Sequence, residues 1–229
     1  MPWPGLKHDE KMANFGFLLG TRSTRPPQVL TRKDAIRFIK KFPRKARNVT
    51  SGLIAGTLVE GARGWVAVED LRIGDAVQSY DGGLARVLGL DRNWVTAAVG
   101  AYVLHLPGGA LNNCSDLRLL PGQNVLIDTL GDAELPDDVV VLMPAAALEG
   151  VLGATRMRIE KPMEVITPRF ADDEAIFANS GTLLHCPGIR QTAGQPASDF
   201  FTQLDLAQAY AFLQRAYAAP AVHPMRIAA

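Results

Sequence analysis

Residues 52–59 read Gly-Leu-Ile-Ala-Gly-Thr-Leu-Val, and residues 64–83 read Gly-Trp-Val-Ala-Val-Glu-Asp-Leu-Arg-Ile-Gly-Asp-Ala-Val-Gln-Ser-Tyr-Asp-Gly-Gly. In the second run, the apolar residues between Trp65 and Gly74 predict a strand that leads into a turn. Residues 81–83 predict a tight turn, because glycine adopts the positive φ that hairpin turns require. Together the two runs predict a β-hairpin within a β-rich domain.

The ordered combination of these motifs is more specific than the alternation alone. Gly-Thr-x-Val, Trp-x-x-Val-Glu-x-Leu-x-x-Gly-Asp and Asp-Gly-Gly follow one another within residues 56–83. This order resembles the opening of a Hint domain, the self-processing module shared by inteins and hedgehog C-terminal regions. The resemblance implies a mainly β, Hint-like fold over residues 51–190. We expect a basic N-terminal helical arm at residues 1–50 and a C-terminal helical extension at residues 191–229.

The residues that carry the chemistry of the Hint family are replaced in this chain. The resemblance places the nucleophilic cysteine at position 52, which is Gly52, and the threonine and histidine of the Thr-x-x-His motif at Leu120 and Gln123. Glycine has no side chain to attack a carbonyl group. Glutamine forms hydrogen bonds but does not transfer a proton near neutral pH. We therefore predict that these are degenerate positions of a non-cleaving Hint domain, which leaves no catalytic residue.

Three other side chains are candidates for a substitute nucleophile. Ser51 lies one residue before the expected position, Thr57 follows in the same motif, and Cys114 precedes the second motif. An alcohol without a neighbouring base is a weaker nucleophile than a thiolate. Residual self-cleavage through one of these groups is the alternative to inactivity. Cys114 and Cys186 are too few for a disulfide framework, and we expect each to be a buried small apolar residue.

A third segment, Glu174-Ala-Ile-Phe-Ala-Asn-Ser-Gly181, is similar to the terminal strand of inteins. That strand ends in His-Asn before Cys, Ser or Thr, whereas this chain has Ala178, Asn179 and Ser180. Asparagine, serine and glycine are also ordinary turn residues. We therefore favour a strand that ends in a turn. We further expect residues 163–170 and 175–178 to form neighbouring strands.

Composition narrows the class of protein. The chain has 229 residues, of which 48% are hydrophobic and 21% charged, as in soluble globular proteins. The apolar run at residues 139–148 is interrupted by Pro144, so we expect no membrane span. No signal peptide is visible, which favours a cytoplasmic location, with non-classical secretion as the alternative. The sequence has no Cys-x-x-Cys, no His-x-x-x-His and no phosphate-binding loop, so we expect no metal and no cofactor.

Charge is concentrated in the N-terminal arm. Residues 1–50 hold twelve Lys or Arg and three Asp or Glu, a formal charge of +9 against −8 for the remainder. Residues 31–42 predict an amphipathic helix with Ile36, Ile39 and Phe42 on one face. The arm could bind nucleic acid or an anionic membrane surface. We favour docking of its apolar face on the acidic body of the protein, so nucleic acid is not the favoured partner.

The end of the chain predicts a second helix. Asp205 is placed to cap a helix that runs to about Ala218. Leu206, Tyr210, Leu213 and Tyr217 form an aromatic and apolar stripe that we expect to pack on the β domain. The sequence as a whole therefore predicts a Hint domain that is inactive in self-cleavage and acts as a binding or structural module. Its partner would be a protein or ligand in the former active-site groove.

Overall fold

The computed structural model describes residues 49–81, 83–129, 132–135, 139–191 and 196–217. These residues belong to the unit formed by residues 44–229. Apart from Val49 and Thr50, the basic arm and its helix at residues 31–42 lie outside the described residues. The docking of that arm, and its alternatives of nucleic-acid or membrane binding, therefore remain predictions.

Fourteen strands in the described residues form two antiparallel sheets, which confirms the prediction of a mainly β fold. The first sheet has six strands, in the order β11 (Thr155–Arg158), β7 (Tyr102–Leu106), β8 (Leu117–Leu119), β1 (Leu53–Ile54), β12 (Met163–Arg169) and β6 (Gly89–Val95). The second sheet has eight strands: β10 (Val140–Pro144), β9 (Asn124–Asp128), β14 (Thr182–Cys186), β13 (Glu174–Ala178), β2 (Leu58–Gly61), β4 (Ala76–Ser79) and β5 (Gly83–Arg86) in order, with β3 (Gly64–Ala67) paired to β2.

The first motif contributes a strand to each sheet. β1 lies between β8 and β12 in the first sheet, whereas β2 pairs with strands of the second. The chain changes sheet in the turn at residues 55–57, where the Thr57 amide donates to the Ile54 carbonyl at 3.0 Å. Gly56 has a φ of 91°, a conformation that glycine adopts without steric cost. The Gly-Thr pair of the motif is thus the crossing point between the two sheets.

The predicted hairpin is present, with one difference in the strand before it. β4 and β5 pair from Ala76↔Arg86 to Ser79↔Gly83, and Gly83 has a φ of 68°. The preceding strand, β3, ends at Ala67, and residues 68–70 form a 3-10 helix instead of continuing the strand. The Val68 amide donates to the Thr57 carbonyl at 2.9 Å, which turns the chain inward and buries Val68.

The prediction that residues 163–170 and 175–178 form neighbouring strands is wrong in its pairing. β12 belongs to the first sheet, where it pairs with β1 and β6, whereas β13 belongs to the second sheet and pairs with β14. Both edges of β12 are already occupied, so β13 has no free edge to join there. The segment around Asp172 and Asp173 therefore connects the two sheets.

The main core joins the inner faces of the two sheets. It contains Leu53, Leu104, Leu119 and Ile166 from the first sheet and Val59, Val77, Val125, Ile176 and Leu184 from the second. A smaller cluster lies on the other face of the first sheet and consists of Ile54, Val103, Leu120, Ile159 and Val165. Alternation along each strand places successive side chains on opposite faces, so β1 contributes Leu53 to one cluster and Ile54 to the other.

A single α-helix, α1 (Leu206–Tyr217), follows the sheets in the described residues. Its cap is as predicted: Asp205 Oδ1 accepts from the Gln208 amide at 2.8 Å, and Gln208 Oε1 accepts from the Asp205 amide at 2.8 Å. The predicted stripe is partly wrong. Leu206 is 45% exposed and Tyr217 36% exposed. The buried face consists of Ala209, Phe212 and Leu213.

The neighbours of α1 explain why its buried face differs from the predicted stripe. The helix packs on β10 and on the 3-10 helix Ala145–Leu148 that follows β10. The Tyr210 hydroxyl donates to the Ala146 carbonyl at 3.2 Å and therefore stays near the surface. Within the described residues, no helix has the length and apolar character that crossing a membrane requires.

Candidate functional site

Gly52 and Gln123, which the resemblance aligns with the nucleophile and the histidine, are in direct contact. The Gly52 amide donates to Gln123 Oε1 at 2.8 Å, although the two residues are 71 positions apart. Gly52 lies immediately before β1, and Gln123 lies immediately before β9. The contact therefore joins the entry of a strand in the first sheet to the entry of a strand in the second. We call this pair and its immediate neighbours the glycine–glutamine centre.

The Gln123 carboxamide is buried and has its hydrogen-bonding groups occupied. The side chain is 2% exposed. Its Nε2 donates to the His185 carbonyl at 2.8 Å and to the Asn124 carbonyl at 2.9 Å. Because Oε1 faces an N–H group and Nε2 faces two carbonyl groups, these partners fix the orientation of the amide. Gln123 therefore stabilises three backbone segments and has no proton to exchange with a reacting group.

The loop before Gln123 is held by backbone contacts and by Leu120. The Gln123 amide donates to the Leu120 carbonyl at 3.0 Å, and the Gly122 amide donates to the Thr50 carbonyl at 2.9 Å. Leu120 is buried in the smaller cluster, on the outer face of the first sheet. The side chain at the threonine position of the motif is thus an apolar packing group, which anchors the loop that carries Gln123.

The backbone at Gly52 leaves no room for a side chain. Gly52 has a φ of 118°, which residues with a side chain rarely adopt. A Cβ atom at this position would lie 2.6 Å from Val165 Cγ1 and 2.7 Å from Thr167 Oγ1. Both atoms belong to β12, which pairs with β1. A cysteine at position 52 would therefore require the backbone, and the strand beside it, to move.

A histidine that the sequence analysis passed over lies at the centre. β13 ends at Ala178 and is followed by a turn at Asn179, as expected for a strand that ends in a turn. The next strand, β14, ends in His185-Cys186, and the His185 carbonyl is the group that accepts from Gln123. The usable signal was a His-Cys pair at the end of an apolar strand. Residues 174–180, one strand earlier, also end in a polar turn, so the sequence alone does not distinguish the two strands.

Asn179 serves to hold its own turn. Its Oδ1 accepts from the Leu58 amide at 2.9 Å, and its Nδ2 donates to Ser115 Oγ at 3.1 Å and to the Asp116 carbonyl at 3.2 Å. Its φ of 45° is a left-handed conformation that asparagine tolerates better than most residues. These contacts fix the orientation of the Asn179 carboxamide, whose role in the structure is to hold the turn.

The side chains of the His-Cys pair are buried beside acidic groups. His185 Nε2 lies 3.2 Å from Asp173 Oδ2, and both side chains are buried. Burial raises the pKa of Asp173, but hydrogen bonds with His185 and Ser198 outweigh it, so the net shift is downward. Burial, together with the nearby Glu174, raises the pKa of Cys186. The Cys186 thiol is therefore protonated at neutral pH and is not a nucleophile.

The three candidate substitutes differ in their surroundings. Ser51 is exposed and adjoins Gly52 in the chain. Thr57 is buried in the turn between the sheets. Cys114 is exposed, and its backbone amide donates to the Asn179 carbonyl at 2.7 Å. The expectation that both cysteines are buried is therefore confirmed for Cys186 and wrong for Cys114. Cys114 lies in a loop that is bonded through its backbone to the turn at Asn179.

An apolar groove of about 320 Å³ opens beside the centre. Its lining includes Thr50 and Leu120, which also hold the Gln123 loop, and the aromatic side chains of Trp94 and Tyr102. Val49, where the described chain enters the domain, and Ile159 also line it with apolar side chains. We call it the entry groove. Across the described residues, no group of three or more His, Cys, Asp and Glu side chains could hold a metal ion.

Comparison with protein families identifies the domain. The family model for the Hint domain matches residues 51–183, more than half of the chain. The chain belongs to the Hint domain family. The match to this Hint domain begins one residue before Gly52 and ends two residues before His185, so it includes both Gly52 and Gln123. No curated protein matches the sequence.

Solved structures similar to this Hint domain include intein and intein-like domains. The bacterial intein-like domain from Clostridium thermocellum is 19% identical, with 59% of this chain and 98% of that chain covered and a TM-score of 0.41. A splice-inactive variant of the AceL NrdHF class 3 split intein is 11% identical, with 60% and 98% covered and a TM-score of 0.43. The MchDnaB-1 intein is 15% identical, with 57% and 98% covered and a TM-score of 0.34.

The close packing at Gly52 predicts a large and specific cost for any side chain there. Gly52→Ala adds backbone strain of about 1–3 kcal/mol and an overpacking cost of about 1–3 kcal/mol. Gly56→Ala is the matched control, because Gly56 also has a positive φ but has no atom within 4 Å of the added Cβ. Urea unfolding should show Gly52→Ala to be the less stable variant by at least about 1 kcal/mol. Equal losses in the two variants would contradict the packing at position 52.

The buried Asp173 predicts an acid-sensitive contribution to stability. Because the pKa of Asp173 is lower in the folded protein, its contribution is present above the unfolded pKa of about 3.9 and is lost as the pH falls through the folded value. Glu174, whose pKa burial raises, contributes with the opposite sign. We expect Asp173→Asn to lower stability at pH 7 and to reduce its decline between about pH 5 and pH 2.

The free energy of unfolding, measured in urea at a series of pH values, checks this expectation for Asp173. Asp172→Asn is the control, because Asp172 is the adjacent carboxylate and is exposed. An Asp173→Asn variant with the same acid decline as the unmodified protein would show that the His185 contact does not stabilise the carboxylate.

Proposed function

We propose that this Hint domain does not cleave itself and acts as a binding module through the entry groove. The observation that carries the proposal is the hydrogen bond from the Gly52 amide to Gln123 Oε1. It occupies the place where the resemblance puts a nucleophile beside a histidine. Here two groups without acid–base or nucleophilic capacity hold the same segments together.

The chemistry of self-cleavage needs a nucleophile next to the peptide bond before position 52. Gly52 supplies none, and β12 blocks the space that a side chain would need. Cleavage also needs a group that donates a proton to the leaving nitrogen. The nearest side chain to that nitrogen in the hydrogen-bond network is Gln123, which accepts a hydrogen bond from it. An accepting carboxamide oxygen stabilises the intact amide, so the geometry favours an uncleaved chain.

The binding part of the proposal rests on the entry groove. Its floor is Leu120 and Ile159, which are buried in the smaller cluster, and Trp94 and Tyr102 border it. Apolar walls with aromatic side chains and a few hydroxyl groups are typical of sites for small apolar ligands or short peptides. The fixed loop from Leu120 to Gln123 gives this groove a rigid side, because Gln123 is tied to three backbone segments.

Intact mass of the full chain tests the absence of self-cleavage. After prolonged incubation with dithiothreitol or hydroxylamine, we expect a single species at the full mass, because no thioester or ester forms at position 52. A fragment that begins at Ser51 or at Gly52 would overturn the proposal. In that case Ser51→Ala, Thr57→Val and Cys114→Ala would identify which substitute nucleophile acts.

Peptide titration followed by heteronuclear NMR tests the groove separately. With the capped peptide Leu-Val-Trp at about 1 mM, we expect amide shifts confined to residues that line the entry groove. Trp94→Ala should abolish these shifts, and Trp65→Ala is the matched control, because Trp65 is also exposed but lies outside the groove lining. Shifts that are absent, or that survive Trp94→Ala, would contradict binding at this groove without bearing on cleavage.

A further inference from the structure

We infer that β11 is a docking edge for an extended peptide that carries an acidic side chain opposite Arg158. The peptide adds to the first sheet as a further antiparallel strand. In the described residues β11 is the last strand of that sheet, and it pairs only with β7. All four of its residues are exposed. The inference goes beyond the proposed function, because it does not depend on binding in the entry groove.

The hydrogen-bond register shows which backbone groups of β11 face outward. The Ile159 amide donates to the Ala101 carbonyl at 3.3 Å, so these two residues form a hydrogen-bonded pair at the end of the β11–β7 ladder. Hydrogen-bonded and non-hydrogen-bonded pairs alternate along an antiparallel ladder. Met157, two residues earlier, therefore also bonds to β7. The N–H and C=O groups of Arg156 and Arg158 point the other way, toward the open edge.

The side chains of β11 lie on two faces of the sheet. Arg156 is paired with Leu104 of the main core, and Arg158, two residues further, lies on the same face. Met157 is paired with Val103 of the smaller cluster and lies on the other face, where it is 43% exposed. A strand beside β11 has the same alternation. Its side chains opposite the two arginines therefore lie beside them, and the side chain between these meets the exposed methionine.

The two arginines differ in their availability. The Arg156 guanidinium forms an ion pair with Glu149 and lies 4.0 Å from the centre of the Tyr102 ring. Arg158 is exposed and makes no ion pair with another described residue. Because cross-strand neighbours of opposite charge attract, the acidic residue of the peptide is expected opposite Arg158. A neutral side chain fits opposite Arg156, whose charge is already balanced.

Charge also argues against pairing with a second copy of this chain. An antiparallel pair of β11 strands centred on Met157 would place Arg156 of each copy opposite Arg158 of the other. Like charges directly opposite destabilise a strand pair, and charged side chains commonly protect edge strands in this way. Glu160 and Lys161, which follow the strand, have opposite charges and leave its net charge positive. The edge therefore disfavours itself and basic partners and favours an acidic strand.

A synthetic peptide with this pattern tests the inference. In acetyl-Ser-Val-Glu-Val-Thr-Thr-amide, the glutamate is expected opposite Arg158 and the valine after it beside Met157. Titration of the full chain followed by NMR should give saturable shifts in β11 and β7, with a Kd on the order of 1 mM. At saturation the Arg156 and Arg158 amides should exchange with solvent at least about fivefold more slowly. The Met157 amide, which already bonds to β7, should keep its exchange rate.

Two N-methylated peptides test the added strand. In the inferred register the N–H of the glutamate donates to the Arg158 carbonyl, whereas the N–H of the following valine points away from β11. N-methylation of the glutamate should therefore weaken binding at least about tenfold, because the bond is lost and the methyl group separates the strands. N-methylation of the valine should leave binding unchanged. Equal effects of the two methyl groups would contradict strand addition.

An exchange of charges tests Arg158. Arg158→Glu should weaken binding of the glutamate peptide about tenfold and should bind a peptide with lysine in place of the glutamate. Arg63→Glu is the matched control, because Arg63 is also exposed but lies in the turn between β2 and β3. Neither Arg63→Glu nor Trp94→Ala, in the entry groove, should change binding of the glutamate peptide. Thermal melting of each variant confirms that the fold is intact.

Three results would overturn the inference. The first is an absence of shifts with the glutamate peptide at about 5 mM, or equal binding of the lysine peptide. The second is loss of binding in Trp94→Ala with no loss in Arg158→Glu, because the peptide would then occupy the entry groove. The third is protection of the Arg156 and Arg158 amides in the absence of peptide, in a monomer or a dimer, because the edge would then already be paired.

Discussion

The hydrogen bond between the Gly52 amide and Gln123 Oε1 is the constraint on which the centre of this domain depends. A buried amide that loses its partner costs about 1–3 kcal/mol, so Gln123 is strongly held once the two sheets are packed. Through Nε2 the same side chain reaches the ends of β9 and β14. One carboxamide thus joins three backbone segments from the two sheets.

The glycine at position 52 and the glutamine at position 123 fit each other sterically and chemically. The absence of a Cβ at Gly52 lets β12 approach until Val165 and Thr167 fill the space beside it. The resulting backbone has a left-handed φ and presents its N–H group to Gln123. The two replacements therefore form one packed unit. Gly52 and Gln123 are therefore expected to tolerate substitution only together.

The sequence predicted much of this arrangement because its motifs have fixed spacing. The Gly-Thr pair located Gly52, and the apolar strand after Pro121 located Gln123, without any knowledge of their contact. The contact itself depends on packing between sheets, which no local pattern reports. Other features that depend on packing between the sheets could not be predicted either. One example is the end of β3 at Ala67, after which Val68 turns inward with its amide bonded to the Thr57 carbonyl.

The errors at the other end of the chain have equally specific causes. His185 was missed because two successive strands, β13 and β14, both end in residues that fit the terminal strand of an intein. Only β14 pairs with β9, and this pairing brings the His185 carbonyl to Gln123. The buried face of α1 is set by the 3-10 helix at residues 145–148, so the residue spacing in the helix did not fix which of its apolar residues point inward. Cys114 is exposed because its loop is held by backbone groups and by the side chains of Asn113 and Asn179, and the thiol takes no part.

The partners of Gln123 also impose an order on folding. Its side chain bonds to residue 52, which is 71 positions earlier, and to residue 185, which is 62 positions later. Contacts between such distant positions form slowly, because a long loop must close before they contribute any stability. During synthesis the ribosome releases His185 long after Gly52 and Gln123, so until then the glutamine lacks one of its three backbone partners. The centre of this domain is therefore among the last parts of the Hint fold to be completed.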